Sequence, residues 1–483
     1  MPALPLLGGF YSARSIIANV ERCGNLYPEK NPQDSLQPYT LYLTPGLTKL
    51  SVAPDNAAWR GLYLASNGQL YGVCGRSVYS IAITGALTLL GQLQTQLTTP
   101  VSMADNNQVI IIVDGTTAGY CILMAGNTFG TIADPNFLGA SHVDYIDTFF
   151  VFNQPGTQVF YSSLSNVTFA QLTSLGAFDP TYIASKTGQP DPISALICMH
   201  REIWILGTLR STEVWYNAGN AAFPFAIASG VFIEEGCVAQ YSLVKHDLSV
   251  FWLSVNKDGQ AMVFMGANYT ATRISTPAIA AQFSKYGTIS DAIGMIYQQQ
   301  DHVFYVLTFP NANKTWVYDI SEQQWHERYY TDGNGNENRW LPNCLAAAYG
   351  IIFAGDYYNG NLYQLDLNNY TDNAMPIVRR RGFSHLVNDG KLLSYPGFRL
   401  DMEVGDWAPG LTLNVFLRWS DDRGRTFGNP VAQVGQAGSY LFQPKWNRLG
   451  IARDRVYEVF WSDAVQTAVQ GAWLDPPPIP AGS

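Results

Sequence analysis

The chain has 483 residues, of which 47% are apolar and 13% aromatic but only 13% charged, and its formal net charge is −9. That length buries large cores without disulfide or metal staples, and the charged share is about half the usual one. The acidic balance excludes a groove that grips nucleic acid through its phosphates, though not a smooth bore through which nucleic acid slides.

The first residues, MPALPLLGGFYSARS, lack a basic region and a long apolar core, so no secretory signal is read. No apolar run of roughly 18 residues or more is present to span a membrane, and synthesis in the cytoplasm is expected. Residues 1–49 read as an extended N-terminal arm with turns at Pro28, Pro32, Pro38 and Pro45. It is expected to lie across the following domain or to close its ring by pairing with the last repeat.

Residues 50–372 repeat a shape rather than a sequence. Hairpin patterns occur at 69–83, 108–123, 147–164, 201–219, 248–268, 301–320 and 350–367, each two apolar strands around a Gly, Asn or Asp turn. Their second strands carry Tyr79, Tyr120, Phe160, Trp215, Phe264, Tyr318 and Tyr363. The spacing of about 40–55 residues suits one four-stranded propeller blade each, predicting about seven irregular blades. A stack of β-sandwiches is the competing architecture. The stretch STPAIAAQFSKYG, 275–287, is the best helix candidate, with Ser or Thr before an apolar run and Gly after it.

Residues 376–475 alternate strictly in FRLDMEVGD, LTLNVFLRWS and DRVYEVFWSDA, which predicts an antiparallel β-sandwich. Residues 476–483 form a Pro-rich tail without a fold of its own. The fold class is thus all-β: an arm, a propeller and a sandwich.

Chemical signatures are sparse. Cys23, Cys74, Cys121, Cys198, Cys237 and Cys344 lack any C-x-x-C spacing and read as buried free thiols. The six histidines show no metal-ligand spacing, and no phosphate-binding or nucleophile-elbow motif occurs, so no cofactor, metal or catalytic residue is assigned. The loop TDGNGNEN, 331–338, misses the EF-hand pattern and reads as an exposed turn. Ser420, Asp422, Gly424, Thr426 and Phe427 spell an Asp-box, a hairpin turn common in sialidases. Those enzymes use several boxes plus an arginine cluster, whereas one box lies here, outside the repeats; Arg60, Arg76, Arg201, Arg210 and Arg273 are the arginines available. The box is read as structural. Arg379, Arg380 and Arg381 are the densest charge, read either as a solvated hinge or as a docking patch for an acidic surface or DNA phosphates.

Three stretches together resemble a known family. RSIIANVERCGNLYPEKN with YTLYLTPGL, STEVWYNAGNAAFPFAIASGVFIEEGCVAQ, and LRWSDDRGRTFG with KWNRLGIARDRVYEVFWSD are similar, in order, to tail-hub or packaged-DNA stabilisation proteins of short-tailed phages. The resemblance implies a structural virion protein without catalysis. It implies a homo-oligomeric ring, hexameric in type, below the portal and its adaptor, which closes the DNA-filled head. A tail needle or spike and fibres would attach to it, and genomic DNA would pass through its bore without specific binding. On this reading Arg14 and Arg22 in the arm and Arg379 to Arg381 are the interaction candidates, and the segment 14–47 is expected to contact a neighbouring subunit or the adaptor. The alternative from the Asp-box and the many aromatics is a glycan-binding or sialidase-like propeller for host-receptor recognition.

Overall fold

The computed structural model describes residues 3–4, 9–35, 37–474 and 479–480, with the backbone alone at Ala3, Leu4, Ile479 and Pro480. Seven four-stranded antiparallel units follow one another as propeller blades, the first five as separate sheets and the sixth and seventh as parts of sheets of 11 and six strands. Their inner strands are Trp59–Leu64, Ser102–Asp105, Val143–Ile146, Ile193–Met199, Val244–His246, Ile293–Gln299 and Pro342–Ala348. The hairpins legible in the sequence are the middle two strands of each blade. Packed on both faces, these strands are continuously apolar: Val109–Val113 and Ser77–Ile81 are buried throughout. Outer strands such as Thr128–Thr131 are half exposed and carry little apolar signal.

The ring closes with the N-terminal segment. Gly46–Val52 pairs antiparallel with Asn361–Asp366 and supplies the outer strand of the seventh blade. First and last blades then share one core in which Trp59, Tyr79, Phe353 and Leu362 are buried.

The rest of the N-terminal segment departs from an extended arm. Leu26–Lys30 and Tyr39–Leu43 form a hairpin, and the second of these pairs with Ala468–Leu474 in a sandwich sheet. Cys23, Leu26, Leu41 and Leu43 sit in the sandwich core with Phe398, Val415 and Trp461. The physical reason is apolar content: burying each such side chain is favourable by about 1.5–3 kcal/mol, and the nearest apolar surface belongs to the same chain. Most apolar side chains of 14–47 are thus used within the chain itself.

The two domains are continuous. Cys23–Gly24 pairs in parallel with the outer strand Gln324–Thr331 of the sixth blade, through Glu327 and Gly24. On its other edge it pairs with Arg379–Gly382, which pairs with Asp454–Trp461 of the sandwich. One sheet of 11 strands therefore runs from the sixth blade into the sandwich.

The predicted helix is present as Pro277–Phe283, with the Thr276 side chain accepting from the Ile279 amide and Pro at the first helical position. A one-turn helix at Phe169–Leu172, closed by a Thr168–Gln171 capping box, was not anticipated. Most of the tail 476–483 lies outside the described residues, but Ile479–Pro480 pairs with Leu393–Ser394.

Candidate functional site

The densest charge of the sequence sits at the junction of the two domains. Six side chains of alternating charge form a ladder of ion pairs across the continuous sheet. Arg22 lies 2.6 Å from Glu327 and 3.0 Å from Glu337; Arg380 lies 3.0 Å from Glu337 and 2.6 Å from Glu458; Arg418 donates to Glu458 at 2.7 Å. Burial acts to raise the Glu337 carboxyl, but Arg22 and Arg380 outweigh it and hold it below its usual value. The three cations and three anions cancel.

Arg379 and Arg381 are fully buried. Arg379 donates to the carbonyls of Asp463 at 3.0 Å, Tyr370 at 3.2 Å and Ile377 at 3.3 Å. Arg381 donates to the Gly9 carbonyl at 3.0 Å and stands 3.8 Å from Glu21. The triplet is thus neither a solvated hinge nor an open docking patch. Alternation along a strand sends Arg379 and Arg381 into the interior, and both meet acceptors there. Of the other interaction candidates, Arg14 is exposed and Arg22 belongs to the ion-pair ladder.

Two histidines fasten the N-terminal segment. His302 faces Asp319 at 2.6 Å with Nδ1 and Glu29 at 3.2 Å with Nε2, and its pKa is raised by the Asp319 bond against opposing burial. His385 faces Asp454 and the Ile16 carbonyl, each at 2.7 Å. Sequence reading missed these partners, and the ladder's glutamates, because they lie far apart along the chain.

The Asp-box closes the hairpin of Thr412–Ser420 and Val431–Gln436. Asp422 accepts from Ser420 Oγ at 2.6 Å, from the amides of Arg425 and Thr426, and from Thr426 Oγ1. These bonds hold its pKa below the usual carboxylate range. Gly424 takes φ +82, and Phe427 lies under the Arg418 guanidinium at 4.8 Å. All five residues serve the turn. Asp332 of the 331–338 loop likewise accepts from the amides of Asn334 and Asn336, while Glu337 turns to the ladder.

A cavity follows the propeller axis. At one end it holds about 510 Å³, with Gln240, Asp291, Arg339 and Tyr357 among its walls. A section of about 440 Å³ along the inner strands shares Pro100, Tyr241, Ile293 and Asn343 with it and reaches Arg60. Of the five arginines considered for a sialidase cluster, Arg60 alone lines this axis. Arg210 lines a separate cavity, Arg201 pairs with Asp147 in an exposed turn, Arg76 bonds Gln92 and Arg273 bonds Ser275. The arrangement offers no gathered carboxylate-binding triad.

All six cysteines are buried and unbridged, and burial pushes Cys23 and Cys237 up to about 11. Among the described residues no group of three or more metal-ligating side chains converges, and no helix is long and apolar enough to cross a membrane.

Comparison with solved structures returns likenesses at low identity. The extracellular domain of a putative hybrid two-component system from B. thetaiotaomicron is 10% identical with a TM-score of 0.43, covering 66% of this chain. This chain spans 39% of that protein's chain. A computationally designed protein, Ika8, is 14% identical with a TM-score of 0.37, covering 67% of this chain and 99% of its own. A chain of the mitotic checkpoint complex is 11% identical with a TM-score of 0.41, covering 67% and 94%. No curated protein sequence matches. Family comparison is specific: the bacteriophage P22 Gp10 β-propeller matches residues 3–370, and the Gp10 β-sandwich matches residues 379–475. Matched in both domains and in the same order, the chain belongs to the bacteriophage P22 Gp10 family, phage structural proteins that stabilise packaged DNA.

Proposed function

We propose that the chain is the subunit of a tail-hub ring, in type a hexamer, seated below the portal and its adaptor proteins. There it closes the DNA-filled head and offers attachment to a needle or spike and to fibres. The family supports the virion role. The observation that carries the finer reading is the 11-strand sheet that joins propeller to sandwich across the Arg22–Glu337–Arg380 ladder. A plug against packaged DNA transmits load between its neighbours, and two domains sharing one sheet resist hinge motion better than two on a linker. The low charge and net −9 suit a ring whose bore does not retain DNA.

The test is imaging. Tail-less, DNA-filled heads carrying their adaptor ring are incubated with the purified chain and viewed by electron microscopy. A ring of density at a single vertex, with a countable number of copies, is the expected result. Absence of density there, with the chain monomeric in solution, overturns the hub reading.

A further inference from the structure

The mouth of the propeller axis has a composition that the hub role does not use. Because blade strands alternate in direction, the loops between consecutive blades and the turns between each blade's middle strands gather at one end. The cavity of about 510 Å³ opens there. Its walls include the hydroxyl and amide side chains of Thr98, Thr99, Gln240, Ser290, Asn311 and Asn313.

Three buried polar atoms along the propeller axis have no hydrogen-bond partner, those of Arg339 and Asp291 at the mouth of about 510 Å³ and that of Arg60 in the adjoining section of about 440 Å³. Arg60 Nη2 stands 3.8 Å from Asp114, beyond hydrogen-bond length, while its other nitrogens donate to the carbonyls of Thr99 and Gly75. Arg339 Nε is likewise unpartnered, with the guanidinium held 3.7 Å over the Tyr357 ring and Nη2 3.3 Å from Asn343. Asp291 Oδ1 is an unpartnered acceptor, its other oxygen taking the Asn311 amide at 2.7 Å. Arg60 is 1% exposed and Arg339 6%. Native proteins rarely leave such atoms unpaired, so they mark where a ligand or ordered water belongs.

Charge narrows the ligand. Arg60 is countered by Asp114, and Arg339 by Asp356 and Asp291, so a simple anion gains little there. Orphan donors and an orphan acceptor along one axial cavity call for groups that do both, and a hydroxyl is the group that does. Amide and hydroxyl walls add further reversible partners.

We propose that the axial mouth binds a neutral saccharide, through vicinal hydroxyls bridging Arg339 and Asp291 and a further hydroxyl directed at Arg60. This site is independent of the hub reading: a chain that failed to seat on heads would still bind the sugar.

The test uses the full chain and saturation-transfer NMR with a neutral hexose, a 6-deoxyhexose and an N-acetylhexosamine, each at about 20 mM, and with neutral fragments of host envelope polysaccharide. Asp291→Ala and Gln240→Ala are compared, with Arg201→Ala in an exposed turn at the opposite end as control. Binding of a free sugar or of the fragments is expected, weakened about tenfold or more in both cavity variants at unchanged Tm and unaffected in the control. Which probe binds identifies the source. Binding of neither, or equal binding by the cavity variants, overturns the proposal and leaves ordered water as the occupant.

Discussion

Glu337 Oε1 accepts from Arg380 Nη2 at 3.0 Å, an ion pair that crosses from the sixth propeller blade to the first strand of the sandwich. The same carboxylate takes Arg22 through its other oxygen at 3.0 Å. One side chain thus ties the N-terminal segment, the propeller and the sandwich together.

Glu337→Gln is expected to destabilise the chain by about 1–3 kcal/mol, because two largely buried guanidiniums lose a shared anion. Urea unfolding checks it. A single cooperative transition in wild type that divides into two in the variant would show that the ladder couples the domains, whereas an unchanged midpoint would make it decorative.

The closing strand gives a sharper effect. Leu47 is fully buried in the core between the sixth and seventh blades, on the strand that completes the seventh. Leu47→Ala is expected to cost about 2–5 kcal/mol. Deleting residues 1–52 is expected to abolish cooperative melting altogether. A truncated chain with a wild-type melting curve would contradict ring closure by this strand.

His302 provides a pH dependence. Its folded pKa is raised by Asp319 and Glu29, so its contribution is fully present below the unfolded value of about 6.5 and is lost as pH rises through the folded value. The stability gap between wild type and His302→Gln is therefore expected to be largest near pH 6 and to narrow toward pH 9. Denaturant midpoints across that window measure it, and a gap that widens with pH would reverse the assignment.

The thiols are a chemical check on packing. Burial raises the pKa of all six cysteines, Cys121 and Cys74 to about 12. A thiol-specific disulfide reagent at pH 8 is expected to leave native protein unmodified and to titrate six groups in denaturant. Rapid labelling of native protein would place a cysteine at an open surface.

The sequence was most legible where strands are buried on both faces. VIIIV at 109–113 and the aromatics from Tyr79 to Tyr363 mark middle strands because apolar side chains dominate there. Outer strands such as Thr128–Thr131 face solvent and left no such trace. The Asp-box was readable because all its partners lie within a few residues. Arg379 and Arg381 were not: a run of three arginines looks solvated until the chain brings Glu21, Gly9 and Asp463 around it from both termini. The hairpin Leu26–Lys30 and Tyr39–Leu43 was obscured by its prolines, which local reading takes for turns.

The most direct test of the tail-hub role is DNA retention. DNA-filled heads with their adaptor ring are incubated with wild-type chain or with Glu337→Gln, and nuclease-accessible DNA is followed over time. Wild type is expected to slow DNA loss well below that of untreated heads, with the variant protecting less. Heads that lose DNA at the same rate with and without the chain would contradict it.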